Sequence, residues 1–270
     1  MTNTESFSTP ETATIPAAGS GAMLHGDAPG PPPPGLLVGA SLFLDVDGTL
    51  VDLAERPDLV RVSPMLPDLL ARLATRLDGR VALVSGRGAE EVAALIGDPG
   101  LTIAGSHGAE IRSGSGQISA RPRPPVLDEA LAVIDAFAAC HPGLLVEDKP
   151  QGVALHYRRR PEAAQACQTL AADLARRLGL HRQPGKMVVE LLPAGHDKGT
   201  AVRRLMEQPA MAGTRPVFIG DDHTDEAGFR AVAAMGGAGI LVGSVRETTA
   251  IHRLPTVASV HAWLDKEVTA

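Results

Sequence analysis

Leu42-Phe43-Leu44-Asp45-Val46-Asp47-Gly48-Thr49-Leu50 is the stretch on which the reading of this chain turns. An unbroken apolar run ahead of the first carboxylate is the pattern of a parallel strand buried on both faces. Asp45 and Asp47 then fall at the strand's exit, and open α/β sheets bind their ligands at the carboxyl ends of strands. Two carboxylates so close repel each other unless a cation joins them. A hard ion such as Mg²⁺ suits that demand, because it takes one or two carboxylates and keeps room for water and a substrate phosphate. The same string also reads as a strand ending in a turn, since Asp and Gly are ordinary turn residues. The rest of the chain has to decide between the two.

Working outward, Leu66, Leu69, Leu70, Leu73 and Leu77 recur at helical spacing and predict a helix packed on a sheet. Arg80-Val81-Ala82-Leu83-Val84 predicts a second buried strand, breaking at Ser85-Gly86-Arg87-Gly88. A helix to about Leu95 and a strand Leu101-Thr102-Ile103-Ala104 follow, the latter ending in Gly105-Ser106-His107-Gly108. The same rhythm returns late in the chain. It gives a helix from Asp197 to Met206, strand Val217-Phe218-Ile219, a helix from Asp225 to about Met235, and strand Ile240-Leu241-Val242. Alternating strands and helices predict an α/β fold with a Rossmann-like parallel sheet core covered by helices.

Between these halves the texture changes. Val153, Leu155 and Tyr157 alternate with Ala154, His156 and Arg158, beside helical patterns from Val126 to Phe137 and from Pro161 to Leu178. Alternation of that kind suits an antiparallel sheet with one wet face. The expected organisation is a core over 40–109 and 193–270, with an inserted α+β cap domain over 110–192. Residues 1–39, rich in Thr, Ser, Ala, Gly and Pro and ending near Pro31-Pro32-Pro33-Pro34, are expected to form a disordered leader.

With 270 residues and 44% hydrophobic content, the chain can bury one large core or two modest ones. A formal charge of -6 and the lack of a dense Lys/Arg run argue against nucleic acid as a partner. No apolar run is long enough to span a bilayer, and the first residues lack the pattern of a secretory signal. Cys140 and Cys167, each in a predicted helix, read as small buried thiols and fit a reducing cytoplasm. Nothing in the pattern sets an oligomeric state.

Four segments converge at strand exits or helix starts: Asp45 to Thr49, Ser85-Gly86-Arg87, Asp197-Lys198-Gly199, and Gly220-Asp221-Asp222-His223-Thr224-Asp225-Glu226. Together they offer carboxylates for a metal, a hydroxyl and a cation. That inventory suits phosphoryl transfer, where catalysis is mostly positioning and neutralisation of charge.

The four segments, in this order, resemble the motifs of the haloacid dehalogenase (HAD) superfamily of phosphatases. More narrowly, the chain resembles the trehalose phosphate phosphatases. That likeness is carried by Ser85-Gly86-Arg87, Gly105 to Gly108, Glu147-Asp148-Lys149, His156-Tyr157-Arg158, Lys186 with Val189-Glu190-Leu191, and Gly220 to Glu226. The resemblance implies that Asp45 attacks phosphorus and becomes an aspartyl phosphate, while Asp47 serves as general acid and then base. It implies Mg²⁺ held by Asp45, the backbone carbonyl of Asp47 and Asp221, and phosphate oxygens held by Ser85 and Lys198. Asp225 is expected to orient Lys198 or a metal-bound water, with Asp222 in a similar supporting place. Glu147, Lys149, Lys186 and Glu190 of the insertion, with Arg87 and His107 at the core edge, are the expected sugar contacts. The implied substrate is trehalose 6-phosphate. Another sugar phosphate such as sucrose phosphate, or a non-catalytic sugar-phosphate sensor, stay open as alternatives, although a sensor needs neither Asp45 nor Asp47.

Overall fold

The computed structural model describes residues 29–54, 59–120 and 122–269. The apolar run forms β1 (Ala40–Leu44), buried throughout. Helix α1 (Leu66–Arg76) turns Leu66, Leu69, Leu70 and Leu73 inward, as their spacing predicts. Strand β2 (Val81–Val84), α2 (Ala89–Ile96) and β3 (Thr102–Gly105) continue the rhythm. Two short strands follow, β4 (Glu110–Arg112) and β5 (Ile118–Ala120). The chain then runs through α3 (Val126–Ala139), β6 (Leu145–Lys149), β7 (Gly152–His156), α4 (Ala164–Leu178), β8 (Leu180–Gly185) and β9 (Val188–Pro193). It returns with α5 (Lys198–Met206), β10 (Arg215–Gly220), α6 (Glu226–Ala234), β11 (Ala238–Val242), β12 (His252–Leu254) and α7 (Val257–Thr269).

The larger sheet has the order β12-β11-β10-β1-β2-β3-β4-β5, parallel from β12 to β3 and antiparallel at β4 and β5. Successive side chains of β1 point to opposite faces, so one strand feeds two cores. Leu42 and Leu44 pack with Leu70, Leu73 and Leu264 on one side. Phe43 packs with Val202, Phe218 and Phe229 on the other. Strand β1 lies between β2, which follows it in the chain, and β10, which comes far later. That reversal of strand order opens a crevice beyond the strand ends, where open α/β sheets take ligands.

The smaller sheet, β6-β7-β9-β8, is antiparallel throughout. Val153, Leu155, Val189 and Leu191 bury one face against Leu127, Ile134 and Leu174 of α3 and α4. The opposite face carries Glu147, Lys149, His156 and Glu190 into the crevice of the larger sheet. The alternation through β7 therefore separates a helix-covered face from a face turned to the cavity.

Three expectations are corrected. Residues 110–120 belong to the larger sheet, because β4 pairs with β3 and β5 with β4, so the departure from that sheet comes after Ala120 and not at Glu110. Of the expected leader, residues 1–28 lie outside the described residues. The end of that segment is anchored: Leu36 and Leu37 are buried, and the backbone N–H groups of Gly35 and Leu37 donate to the Glu267 carboxylate on α7. Cys140 is exposed at the end of α3, whereas Cys167 is buried as expected. Strand β12 and helix α7 were not foreseen. Among the described residues no helix is long and apolar enough to cross a membrane.

Candidate active site

Leu44 on β1 and Ile219 on β10 are register partners, so the residues just beyond them emerge side by side. Asp45 follows Leu44 directly, and Asp221 follows Ile219 after the single residue Gly220. One oxygen each from Asp45, Asp221 and Asp225 lies within 4.8 Å of the other two. The oxygens of Asp225 are already engaged. Its Oδ1 accepts from Lys198 Nζ at 2.6 Å, and its Oδ2 accepts from the backbone N–H groups of Asp221 and Asp222 at 2.8 Å each. Asp225 thus orients Lys198 and pins the loop that carries Asp221. The Oδ1 atom of Asp221, in contrast, is buried without a hydrogen-bond partner among the described residues. Such an orphan costs desolvation energy unless something outside the chain satisfies it.

Lys198 Nζ also donates to Asp45 Oδ1 at 2.6 Å, so one buried ammonium joins two carboxylates. Burial pushes the Asp45 carboxyl well above its ordinary range, with repulsion from Asp225 adding to the rise and the Lys198 ammonium opposing it. Burial, followed by the charge of Asp225, lifts Asp221 to about 7. Burial alone would lower Lys198, but Asp225 and Asp45 outweigh it and hold the ammonium more tightly protonated than usual. Carboxylate charge exceeds the cationic charge at this point. All-oxygen donors with surplus negative charge fit a hard divalent cation of the Mg²⁺ type and not Zn²⁺, which favours imidazole and thiolate.

Asp47, expected to offer a metal its backbone carbonyl, keeps its side chain out of this acidic group. Arg87 Nε donates to its Oδ2 at 2.6 Å and Arg87 Nη2 to its Oδ1 at 2.8 Å. Ser85 is buried at the exit of β2, and its Oγ accepts from Arg87 N at 3.1 Å, which leaves the hydroxyl proton to donate. His107 follows β3 in a left-handed conformation (φ 55°). Its backbone N–H donates to Ser85 O at 2.9 Å, and its ring lies where a β-carbon on Gly86 would come within 2.7 Å of Nε2.

The smaller sheet meets this ring. His107 Nε2 is 3.3 Å from Glu190 Oε2, and Lys149 Nζ is 3.0 Å from Glu190 Oε1 and 3.4 Å from Gly86 O. Burial works to raise the Glu190 carboxyl, but Lys149 and His107 outweigh it and hold the group near about 2. Glu147 pairs with His156 at 2.7 Å. A cavity of about 690 Å³ lies between the two sheets, with Asp45, Asp47, Ser85, Lys198 and Asp221 at the strand ends. Arg87, His107, Glu147, Lys149, Lys186 and Glu190 line the same cavity. Every expected site residue except Asp225 reaches it, and Asp225 sits behind Lys198, fully buried.

A profile of the trehalose-phosphatases matches residues 43–256. The chain belongs to the trehalose-phosphatase family. It is 41% identical over 223 residues to the "Probable trehalose-phosphate phosphatase" of Sinorhizobium fredii, covering 82% of this chain and 84% of that one. It is 38% identical over 232 residues to the trehalose-6-phosphate phosphatase of Escherichia coli, covering 84% and 86%. Among solved structures, a trehalose-6-phosphate phosphatase related protein superposes with a TM-score of 0.68 at 27% identity, over 84% of this chain and 96% of that one. A haloacid dehalogenase-like hydrolase from Bacteroides thetaiotaomicron shares the fold, with a TM-score of 0.60 at 19% identity over 85% and 98% of the two chains. The family makes this chain a phosphoric monoester hydrolase with a HAD-like fold.

Three residues of this family member escaped the sequence reading. Gln183 lies opposite Glu190 in the β8–β9 register, and its Nε2 is 2.9 Å from His107 Nε2. Its signal was the strand–turn–strand around Gly185, which sets that register once the hairpin is recognised. Glu110 is buried and accepts from Ala89 N at 2.8 Å and Ser106 Oγ at 3.1 Å, tying the start of α2 to the His107 turn. Arg246 donates to the carbonyl of Asp222 at 2.8 Å and bonds Glu226, bracing the Asp221 loop from the far side. Neither of the last two carries a local sequence signal.

Proposed function

We propose that the chain is a Mg²⁺-dependent phosphatase that hydrolyses trehalose 6-phosphate to trehalose and phosphate. The observation that carries this reading is the placement of Asp45, Lys198 and Asp221 at the floor of a cavity of about 690 Å³ walled by Glu147, Lys149 and Glu190. The names of the relatives support the substrate, and the volume suits a phosphorylated disaccharide.

In this reading an Asp45 oxygen attacks phosphorus and forms an aspartyl phosphate as the bond from phosphorus to the sugar oxygen breaks. Asp47 gives its proton to the departing sugar oxygen, and passage through the aspartyl phosphate splits one hard displacement into two easier ones. Asp47 then accepts a proton from the water that attacks the same phosphorus, releasing phosphate and restoring Asp45. Lys198 and Ser85 hold phosphate oxygens, and Lys198 lowers repulsion between Asp45 and a dianionic substrate. Asp45, Asp221 and the carbonyl of Asp47 would hold the Mg²⁺. When bound, the ion supplies positive charge that offsets the charge on the transferring oxygens. Glu147, Lys149, Lys186 and Glu190 read sugar hydroxyls by charge-assisted hydrogen bonds, with His107 below them. We place the enzyme in the cytoplasm on the composition of the chain.

Phosphate release from a panel of sugar phosphates, with and without Mg²⁺, tests this reading. Trehalose 6-phosphate is expected to be hydrolysed far faster than sucrose 6-phosphate or glucose 6-phosphate, and only with the metal. Asp45→Asn is expected to abolish turnover without loss of fold. Full turnover by that variant, or a different preferred sugar, overturns the mechanism or the substrate respectively.

A further inference from the structure

The resemblance puts Arg87 at the sugar, yet its guanidinium is engaged elsewhere. Two of its nitrogens take both oxygens of Asp47, at 2.6 and 2.8 Å, and Nη1 donates to Glu91 on α2. The side chain is 12% exposed and that of Asp47 27%. The backbone of Arg87 is held on both sides: its N–H donates to Ser85 Oγ at 3.1 Å, and its carbonyl accepts from Ser106 N at 2.8 Å. Arg87 is therefore a post fixed at both ends, with a planar fork closed on one carboxylate. A fork of this kind sets the position and the rotation of the carboxylate, which a point charge cannot do.

We propose that Arg87 is the positioning residue for Asp47 and acts on the reaction through that carboxylate, not through the sugar. The inference rests on the acid–base reading of Asp47 given above. A general acid or base works only within hydrogen-bond reach of the oxygen it serves, so the direction of the Asp47 carboxylate decides whether it reaches that oxygen. Glu91 extends the device by holding the outer end of the guanidinium.

A double-mutant cycle with trehalose 6-phosphate tests this. Arg87→Ala is expected to lower kcat by about 10- to 100-fold, part of the roughly 10²–10⁴-fold contribution of a positioned acid or base, and to leave KM within about threefold. In an Asp47→Asn background the same substitution is expected to change kcat by less than about twofold, because the group it serves is already gone. Arg87→Lys keeps the charge but not the fork, and is expected to stay close to Arg87→Ala. Glu91→Gln, which leaves the fork intact and loosens only its anchor, is expected to lower kcat about two- to fivefold at unchanged KM. It decides the matter if Arg87→Ala does not fold. A rise in KM at unchanged kcat, additive losses in the cycle, or full recovery with Arg87→Lys would each overturn the proposal. Undiminished turnover by Asp47→Asn alone refutes the acid–base reading itself, which separates that failure from a failure of Arg87.

Discussion

Gly48 and Asp221 approach so closely that a β-carbon on Gly48 would lie 2.2 Å from Oδ2 of Asp221 and 2.4 Å from its Cγ. Gly48 also has φ 84°, a left-handed conformation that only glycine adopts freely. The turn after β1 is thus shaped to admit a carboxylate delivered by β10. Gly48→Ala is expected to displace Asp221, to lower turnover by at least about 100-fold and to destabilise the fold by about 1–3 kcal/mol. Steady-state kinetics and thermal melting check both effects.

The orphaned Oδ1 of Asp221 and the raised carboxyls of Asp45 and Asp221 predict that a divalent ion stabilises the folded chain. Mg²⁺ at about 100 times its dissociation constant is expected to add about 2.7 kcal/mol, and a chelator to remove it. Asp221→Asn is expected to keep the fold and lose the response. Melting curves with Mg²⁺ and with chelator measure it, and a wild-type curve indifferent to the metal refutes the assignment.

Lys198 is the buried ammonium between Asp45 and Asp225, at 2.6 Å from each. Lys198→Met removes it and leaves carboxylates facing one another out of water. Breaking a buried pair in this way costs about 3–5 kcal/mol. The variant is expected to show that loss in urea unfolding and to have no measurable phosphatase activity. Unfolding at the wild-type midpoint would show that the ion pairs carry no such weight.

Glu190 links the two sheets through Lys149 and His107 and is held near about 2, against an ordinary 4.5. A carboxyl with a lowered folded-state value stabilises the fold above about pH 4.5, and that stability fades as the pH falls toward 2. The lowering corresponds to about 3 kcal/mol. The gap in melting temperature between wild type and Glu190→Gln is therefore expected to be widest above pH 5 and to close on acidification. A gap that stays constant from pH 6 to pH 3 would refute this assignment.

Much of the site was legible in the sequence because its residues follow apolar runs. Asp45, Ser85, His107 and Asp221 each stand just past a buried strand, and parallel strands deliver such residues to one edge. The boundary at 110 was misplaced because β4 and β5 are three residues long and carry no usable period. The packed segment around Leu36 was missed because its partner, Glu267 on α7, lies at the other end of the chain.

By itself, the sequence determined the α/β rhythm, the inserted antiparallel unit and the group of polar residues brought to one crevice, because periodicity and strand exits are local properties. Only the tertiary structure decided which partners each polar group meets there. Asp225 serves Lys198 and the Asp221 loop, and Arg87 closes on Asp47, although either could have faced a ligand directly. Partners separated by 27, 40 or 153 residues meet only when the sheet is assembled. In a buried site, the role of a carboxylate depends on which donors reach its two oxygens, and that is set by packing between distant elements.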